Sequence, residues 1–310
     1  MAPLRNQADG PREPSVTADA LLGPSARSGW RATLGSQHEA LIADLRETAR
    51  QIRVNVLRIA GMSDCHTGGS LSIADLLAGL YFHAMRVDPK QPDWDGRDYF
   101  VLSKGHCVPA LDAALALRGF FPVEALTTHL EPGSIISGHA CAHLTPGIDA
   151  STGSLGHGLS VGLGIALGVR IDRGANRVFV MLGDGELQEG SNWEAAMAAA
   201  HHKADPLVAI VDRNHYQTGP TEDMMALEPL AEKWTAFGWA VRCIDGHDME
   251  QIVEALDALP FEPGRPSLIL ADTVKGKGVS FIETHHMAHF NAEQLEAALA
   301  EVGAGAVRHG

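Results

Sequence analysis

Alternation of short apolar runs with helical segments constrains the fold more than any other feature of this chain of 310 residues. A predicted helix, Trp193–His202, lies between the first and second of four apolar runs. Another predicted helix, Met249–Leu259, precedes the fourth run. Such alternation predicts an α/β fold with a mainly parallel sheet and helices on both faces. Ligands of such sheets bind at the carboxyl ends of the strands. The predicted strands are Arg177–Leu182, Leu207–Val211, Trp239–Ile244 and Ser267–Thr273.

The first half of the chain is predicted to be mostly helical. The stretch YFVLSKGH is the exception, because it has the character of a short buried strand that ends in a charged turn. Ser72, with Asp75 three residues later, is predicted to cap a buried helix. Apolar residues at helical spacing predict the other helices. The predicted helices are Gln37–Ile59, Ile73–Met85, Pro109–Arg118 and Leu159–Ile171.

The chain is predicted to consist of three segments. Residues 1–36 lack apolar periodicity and are predicted to form a flexible leader. Residues 37–291 contain no interdomain linker, so we predict one ligand-binding domain. Residues 292–310 are predicted to form a C-terminal helix and tail.

The formal net charge of −14 argues against nucleic acid or an anionic membrane as the main partner. No apolar run reaches the roughly 20 residues that a membrane-spanning helix needs. The four cysteines form no CxxC pair, and no secretory signal opens the chain. These features predict a cytoplasmic protein.

Polar side chains follow two neighbouring predicted strands. Asp184, flanked by Gly183 and Gly185, follows the first, and Asn214 follows the next. A hard cation such as Mg²⁺ prefers oxygen ligands, and the carbonyl of Tyr216 would add a third. Each residue alone is more often part of a turn or a cap, but together they favour a metal carrying a diphosphate. The P-loop and GxGxxG motifs are both absent from the sequence.

Three histidines stand in glycine-rich segments. His66 lies in CHTGGS, His106 in SKGHC and His139 in SGHAC. They are predicted to bond an anionic or hydroxylated ligand, or to move protons. Zinc is the competing interpretation, but the spacing has no His-x₃-His or HExxH form.

A set of motifs resembles one enzyme family in order and spacing. Between Gln37 and Asn291 the chain is similar to the amino-terminal half of transketolase. It more closely resembles the N-terminal subunit of a transketolase that is split across two polypeptides. The motifs are HTGGSLSIADLLAGLYFHAM, YFVLSKGHCVPAL, STGSLGHGLSVGLGIALG, GDGELQEGSNWEAAMAAAHH, IVDRN and TVKGKGVSFIE.

The resemblance implies thiamine diphosphate as cofactor, with Mg²⁺ (or Ca²⁺ or Mn²⁺) held by Asp184, Asn214 and the Tyr216 carbonyl. It implies catalytic or substrate-contacting roles for four histidines: His66, His106, His139 and His289. The residues that it implies at the cofactor are Gly69, His106, Gly153, Ser154, Leu155, Asp184, Gly185, Glu189, Asn214, Lys275 and His289. Glu189 also matches a glutamate of the network that links active sites.

Several positions depart from the family pattern. His157 stands where the family usually has Gln, and Arg213 precedes Asn214 where Asn is common. Thr67 follows His66 where Pro is frequent, and Phe290 follows His289 where many relatives have Gly. These changes bear on substrate preference more than on cofactor binding.

The resemblance implies that this chain is one half of an enzyme. The family's pyrimidine-binding domain is missing, so a separate C-terminal transketolase subunit is expected to complete an α₂β₂ assembly. The implied reaction transfers a two-carbon ketol unit between ketose and aldose sugars, phosphorylated or related. Two alternatives stay open. One is another thiamine-dependent subunit, of a 2-oxo acid dehydrogenase or a deoxyxylulose-phosphate synthase-like enzyme. The other is a non-catalytic cofactor-binding regulator.

Overall fold

A five-stranded parallel sheet forms the centre of the computed structural model, which describes residues 24–283 and 290–303, with side chains from Gly35 onward. The strand order is β1-β2-β3-β5-β4, and every neighbouring pair is parallel. The predicted α/β class with a parallel sheet is therefore confirmed. The strands are β1 (Tyr99–Leu102), β2 (Val178–Gly183), β3 (Leu207–Arg213), β4 (Ala240–Asp245) and β5 (Ser267–Asp272).

Helices connect and cover the strands. They are α1 (Pro24–Ala60), α2 (Thr67–Ser72), α3 (Ala74–Gly79), α4 (Val108–Arg118), α5 (Gly158–Ile171), α6 (Gly190–His201), α7 (Thr221–Met224), α8 (Leu230–Ala236), α9 (Met249–Asp257) and α10 (Ala292–Glu301). A π-helical turn spans Leu80–Ala84, and 3₁₀ turns span Gly105–Cys107, Val123–Thr128 and Gly185–Gln188. No helix in these described ranges has the length and apolar character to cross a membrane.

Close contact between α5 and the sheet requires a glycine. A Cβ built on Gly162 would lie 2.3 Å from Cγ2 of Val180 in β2. Every residue of β3 is buried, as expected for a parallel strand covered on both faces. Helix α5 packs on β1, β2 and β3 and against α6, so that the two helices and the sheet share one apolar core.

The predicted helix Ile73–Met85 begins one residue later, as α3, and continues into the π-helical turn, but Ser72 does not cap it. Ser72 ends α2, and its hydroxyl donates to the Gly69 carbonyl (3.0 Å) and to Oδ2 of Asp212 (2.8 Å). These bonds hold the chain in a break before α3, whose first turn has no side-chain cap. The predicted cap therefore does not form, because the Ser72 hydroxyl bonds to a partner that is distant in sequence.

Helix α1 begins at Pro24, earlier than the predicted start at Gln37. Apolar spacing marks the face of a helix that packs, so it does not report where the helix itself begins. Residues 24–36 of the predicted flexible leader are thus helical, and residues 1–23 lie outside the described part of the chain.

Candidate active site

The carboxyl ends of four strands meet at one cavity of about 460 Å³. Lys104 follows β1, Asp184 follows β2, Asn214 follows β3 and Lys275 follows β5. Most of the predicted site residues line this cavity: His66, Gly69, His106, His139, Gly153, Leu155, Asp184, Gly185, Asn214, Tyr216 and Lys275.

Three predicted residues are not among those that line it. Ser154 and Glu189 are exposed to solvent. Glu189 is the N-cap residue of α6, and its Cβ lies against Gly156, where an added Cβ would approach to 2.6 Å. His289 lies outside the described residues. The roles assigned to all the predicted site residues, these three included, stay predictions.

Asp184 presents its two carboxylate oxygens differently. Oδ2 accepts hydrogen bonds from Nη1 of Arg213 (2.9 Å), the amide of His215 (2.7 Å) and the hydroxyl of Thr221 (3.2 Å). Among the described residues, Oδ1 accepts only from the adjacent Gly185 amide, at 2.8 Å. Burial and the charge of Asp212 raise the pKa of Asp184. Oδ1 therefore has spare acceptor capacity for a cation, which would also stabilise the ionised form.

The side chain of Asn214 is oriented by its neighbours. Its Nδ2 donates to Oδ2 of Asp212 at 2.6 Å, and its Oδ1 accepts from the Tyr216 amide at 3.1 Å. With Asp184 and the carbonyl of Tyr216, the cavity thus offers one carboxylate, one amide and one carbonyl oxygen. Such a set fits a hard divalent cation. Over the described ranges, no group of three or more His, Cys, Asp or Glu side chains could hold a metal ion.

Asp212 joins four segments beneath the cavity, although the sequence did not point to it. It is fully buried and accepts from Ser72, Lys104, Asn214 and Thr273. Burial alone would raise the pKa of Asp212, but the charge of Lys104 and these hydrogen bonds outweigh it and lower the pKa. The same pairing raises the pKa of the buried Lys104 against the opposing effect of burial. Asp212 is therefore a fixed anion that holds the floor of the site together.

Glu186, which is also buried, likewise joins separate segments next to the cavity. Its Oε1 accepts from the hydroxyl of Ser103 and from the amide of Gly156 (2.9 Å), and its Oε2 accepts from the amide of Gly183 (3.0 Å). These contacts fasten the loop that carries Gly153 and Leu155 to the ends of β1 and β2.

The three predicted histidines lie together at the cavity. The ring centroids of His66 and His106 are 5.0 Å apart, and those of His66 and His139 are 6.4 Å apart. Burial and the nearby Lys104 charge lower the pKa of His106 to about 4. Burial and His106 also lower the pKa of His139. A neutral imidazole can both donate and accept a hydrogen bond, so this cluster can polarise a carbonyl and move protons.

Lys275 and two glycines shape the cavity for an anionic ligand. The Lys275 ammonium donates to the Gln217 carbonyl at 2.8 Å, and burial together with Lys104 lowers its pKa. A Cβ on Gly185 would lie 2.7 Å from Cβ of Gln217, and one on Gly69 would lie 2.8 Å from Sγ of Cys107. The lack of a side chain at these two positions allows the cavity wall to pack closely against Gln217 and Cys107.

Residues 44–304 match the family model described as transketolase, thiamine diphosphate binding domain. The chain belongs to the transketolase family. It is 47% identical over 264 residues to a 6-deoxy-6-sulfo-D-fructose transketolase subunit from Clostridium sp. (strain MSTE9), covering 84% of this chain and 96% of the relative. It is 46% identical over 241 residues to an apulose-4-phosphate transketolase subunit from Phocaeicola vulgatus, covering 76% and 85%.

Solved transketolases share the fold. The structure of transketolase from Leishmania mexicana superposes with a TM-score of 0.78 at 30% sequence identity. The match covers 84% of this chain but 41% of that protein. This chain therefore corresponds to one part of a longer transketolase polypeptide and to nearly the whole of the subunit-type relatives.

Proposed function

We propose that this chain is the N-terminal, thiamine diphosphate-binding subunit of a two-polypeptide transketolase that transfers a two-carbon ketol unit from a ketose to an aldose. One observation carries the proposal. The oxygen ligands Asp184, Asn214 and Tyr216 line the same cavity as the histidines His66, His106 and His139. A diphosphate–metal site next to imidazoles that can donate and accept hydrogen bonds suits carbonyl chemistry on a bound cofactor.

The residues divide the work by position. Asp184, Asn214 and the Tyr216 carbonyl would hold Mg²⁺, with Ca²⁺ or Mn²⁺ as substitutes, and Lys275 would neutralise the diphosphate. When bound, thiamine diphosphate would supply the electron sink that cleavage of a carbon–carbon bond requires. His66 and His139 would bond the substrate hydroxyls and carbonyl, and His106 would move protons at its imidazole nitrogens.

A second polypeptide would complete the enzyme. The two subunit-type relatives are matched over 96% and 85% of their lengths, which supports a division of transketolase at the same place in this chain. We propose that the partner supplies the pyrimidine-binding domain in an α₂β₂ assembly.

The cysteines Cys65, Cys107, Cys141 and Cys243 are free, which supports a reducing, cytoplasmic setting.

The sugar is open between phosphorylated and related substrates. The names of the two relatives specify a sulfonated and a phosphorylated sugar, respectively. The alternatives among thiamine enzymes, a 2-oxo acid dehydrogenase or a deoxyxylulose-phosphate synthase-like subunit, would require different acceptors. Product analysis with ribose-5-phosphate or a lipoyl acceptor separates these activities.

Reconstitution tests the proposal. The purified chain with thiamine diphosphate and Mg²⁺ is expected to show no ketol transfer alone, and mixing with the C-terminal subunit is expected to restore it. Glu194→Ala, at an exposed site on α6, serves as the control and retains the restored activity. Full activity of the chain alone would contradict the split enzyme. Cofactor binding without activity in the complex would favour the regulator.

A further inference from the structure

The segment that carries Lys275 into the cavity is held by backbone hydrogen bonds on each side. The amide of Thr273 donates to the Arg213 carbonyl at 3.1 Å, and the amide of Gly276 donates to the Gly68 carbonyl at 2.9 Å. Between them, the amide of Val274 donates to Nε2 of His247 at 2.9 Å. The Val274 amide, one residue before Lys275, therefore depends on a side chain rather than on another strand.

The two ring nitrogens of His247 have fixed roles. Because Nε2 accepts from the Val274 amide, the proton of the neutral ring lies on Nδ1, which donates to Oδ2 of Asp75 at 2.8 Å. His247 lies in the loop between β4 and α9, and it does not line the cavity.

Asp75 and Arg53 support this ring from behind. Arg53 grips the carboxylate of Asp75 with two hydrogen bonds, one of 3.0 Å from Nη1 and a shorter one from Nη2. Both residues are buried. Burial would raise the pKa of Asp75, but the charge of Arg53 and the bond from His247 outweigh it and lower the pKa. Asp75 is thus a fixed acceptor that holds the His247 tautomer.

Arg53 also lies near the far end of the Lys275 segment, where it and Gly278 line one small pocket. A Cβ built on Gly278 would lie 3.4 Å from Cδ of Arg53, and the backbone φ of Gly278 is +96°. The buried group of three residues is therefore bonded to the segment at Val274 through His247, and Arg53 lies near it at Gly278.

We propose that Arg53, Asp75 and His247 form a positioning relay that holds the Val274 peptide and thereby directs Lys275 toward the diphosphate of the cofactor. The relay rests on the proposed function for the role of Lys275, whereas its link to the Val274 peptide rests on the hydrogen bonds alone. The relay residues come from α1, α3 and the loop after β4, and they do not touch the ligand themselves. They are positioning residues, not catalytic ones.

Stability alone is a weak reason for such a group. A buried ion pair gives little net stability over apolar residues of similar size, because desolvation offsets the attraction. The acceptor nitrogen of His247 is directed at the Val274 amide, beside a lysine of the cavity. Neither filling space nor pairing with Asp75 would require that orientation.

Two amide substitutions separate the two bonds of His247. In His247→Asn, the amide takes the place of Nδ1, so the side chain can still donate to Asp75 but cannot reach Val274. In His247→Gln, the amide reaches the place of Nε2, so its oxygen can still accept from the Val274 amide. If His247 acts by positioning the segment, the Gln variant is the milder one. If it only satisfies Asp75, the Asn variant is the milder one.

Amide hydrogen exchange tests the structural half on the full-length chain without any ligand. In His247→Asn, exchange of peptides covering residues 273–278 is expected to accelerate about tenfold or more, because the Val274 amide loses its acceptor. His247→Gln is expected to remain close to the wild type. Thermal unfolding of each variant serves as a check that the chain is folded. Equal protection of these peptides in His247→Asn and the wild type overturns the relay.

Cofactor affinity tests the functional half in the complex with the C-terminal subunit. Thiamine diphosphate is titrated with Mg²⁺ present, and both Lys275→Met and His247→Asn are expected to raise the Kd about 3- to 10-fold. In the double variant, the effects are expected not to add, because His247 acts through Lys275. Additive effects, or a loss only in Lys275→Met, overturn the relay. Absence of binding by the wild type overturns the proposed function, and the exchange result still decides whether His247 holds the segment.

Discussion

At the scale of single residues, Lys104 and Asp212 show why the floor of the site is rigid. Both are buried, and each is the charged partner of the other. Removing one partner of a buried pair leaves an uncompensated charge, which is far more costly than losing an exposed ion pair. The pair therefore makes the position of the cavity floor depend on both residues together.

Lys104→Met is expected to lower the free energy of unfolding by about 3–5 kcal/mol, because Asp212 keeps its charge without a countercharge. Urea denaturation followed by tryptophan fluorescence measures this loss. Adding Asp212→Asn to Lys104→Met is expected to recover much of it. Lys90→Met, at an exposed position, serves as the control, and an equal loss there would remove the argument.

His106 gives stability a defined pH dependence. Its pKa in the folded chain is about 4, below the ordinary value of 6.5. Between these values the unfolded chain takes up a proton that the folded chain does not, so stability falls as the pH falls from about 6.5 toward 4. His106→Gln is expected to reduce the loss of Tm between pH 7 and pH 5. An unchanged loss in the variant would contradict the assignment.

The sequence predicted those site residues whose surroundings are set by their neighbours along the chain. Asp184 and Asn214 directly follow strands, so the rule for parallel sheets placed both at one edge. Asp212 and Lys104 escaped prediction because their partners are distant in sequence, with Asp212 separated from Lys104 by 108 residues and from Ser72 by 140. Only the folded chain brings these groups together.

At the scale of elements, two of the four glycines of α5 have opposite surroundings. A Cβ on Gly162 would clash with Val180, whereas a Cβ on Gly164 would meet nothing within 4 Å. Replacing each glycine by alanine thus separates the effect of packing on stability from the effect of helix propensity.

Gly164→Ala is expected to stabilise the isolated chain by about 0.5–1 kcal/mol, because alanine favours the helix over the unfolded chain. Gly162→Ala is expected to destabilise it by about 1–3 kcal/mol, since α5 must move away from β2. Chemical denaturation of both variants measures the difference. If both changes have the same sign, the close approach of α5 to the sheet is wrong.

Strands and long helices were predictable, but short helices were not. The runs that became β2, β3, β4 and β5 are apolar and bounded by turn residues, and local pattern is sufficient for such elements. The short helix α2, which ends at Ser72, was not predicted, because the hydrogen bond from Ser72 to Asp212 that holds its end joins residues distant in sequence. The short helix α8 was missed because it spans only Leu230–Ala236, about two turns.

At the scale of the whole molecule, stability should respond to cofactor and metal together. With thiamine diphosphate and Mg²⁺ at about 100 times Kd, the folded chain is expected to gain about 2.7 kcal/mol, and a chelator is expected to remove most of the gain. Thermal unfolding with and without EDTA measures both effects. Asp184→Ala is the matched variant and is expected to gain nothing. An equal gain in that variant would remove Asp184 from the metal site.

The hydrogen bonds of Asp212 have a consequence for how the chain folds. They join α2, the end of β1 and the end of β5 to β3 across separations of 140, 108 and 61 residues. The cavity floor therefore forms only after these distant segments have met, which is a late event for contacts of long loop closure. A chain with its helices formed but β5 unplaced would lack the floor. Ligand binding in this cavity therefore requires that β5 has already taken its place beside β3.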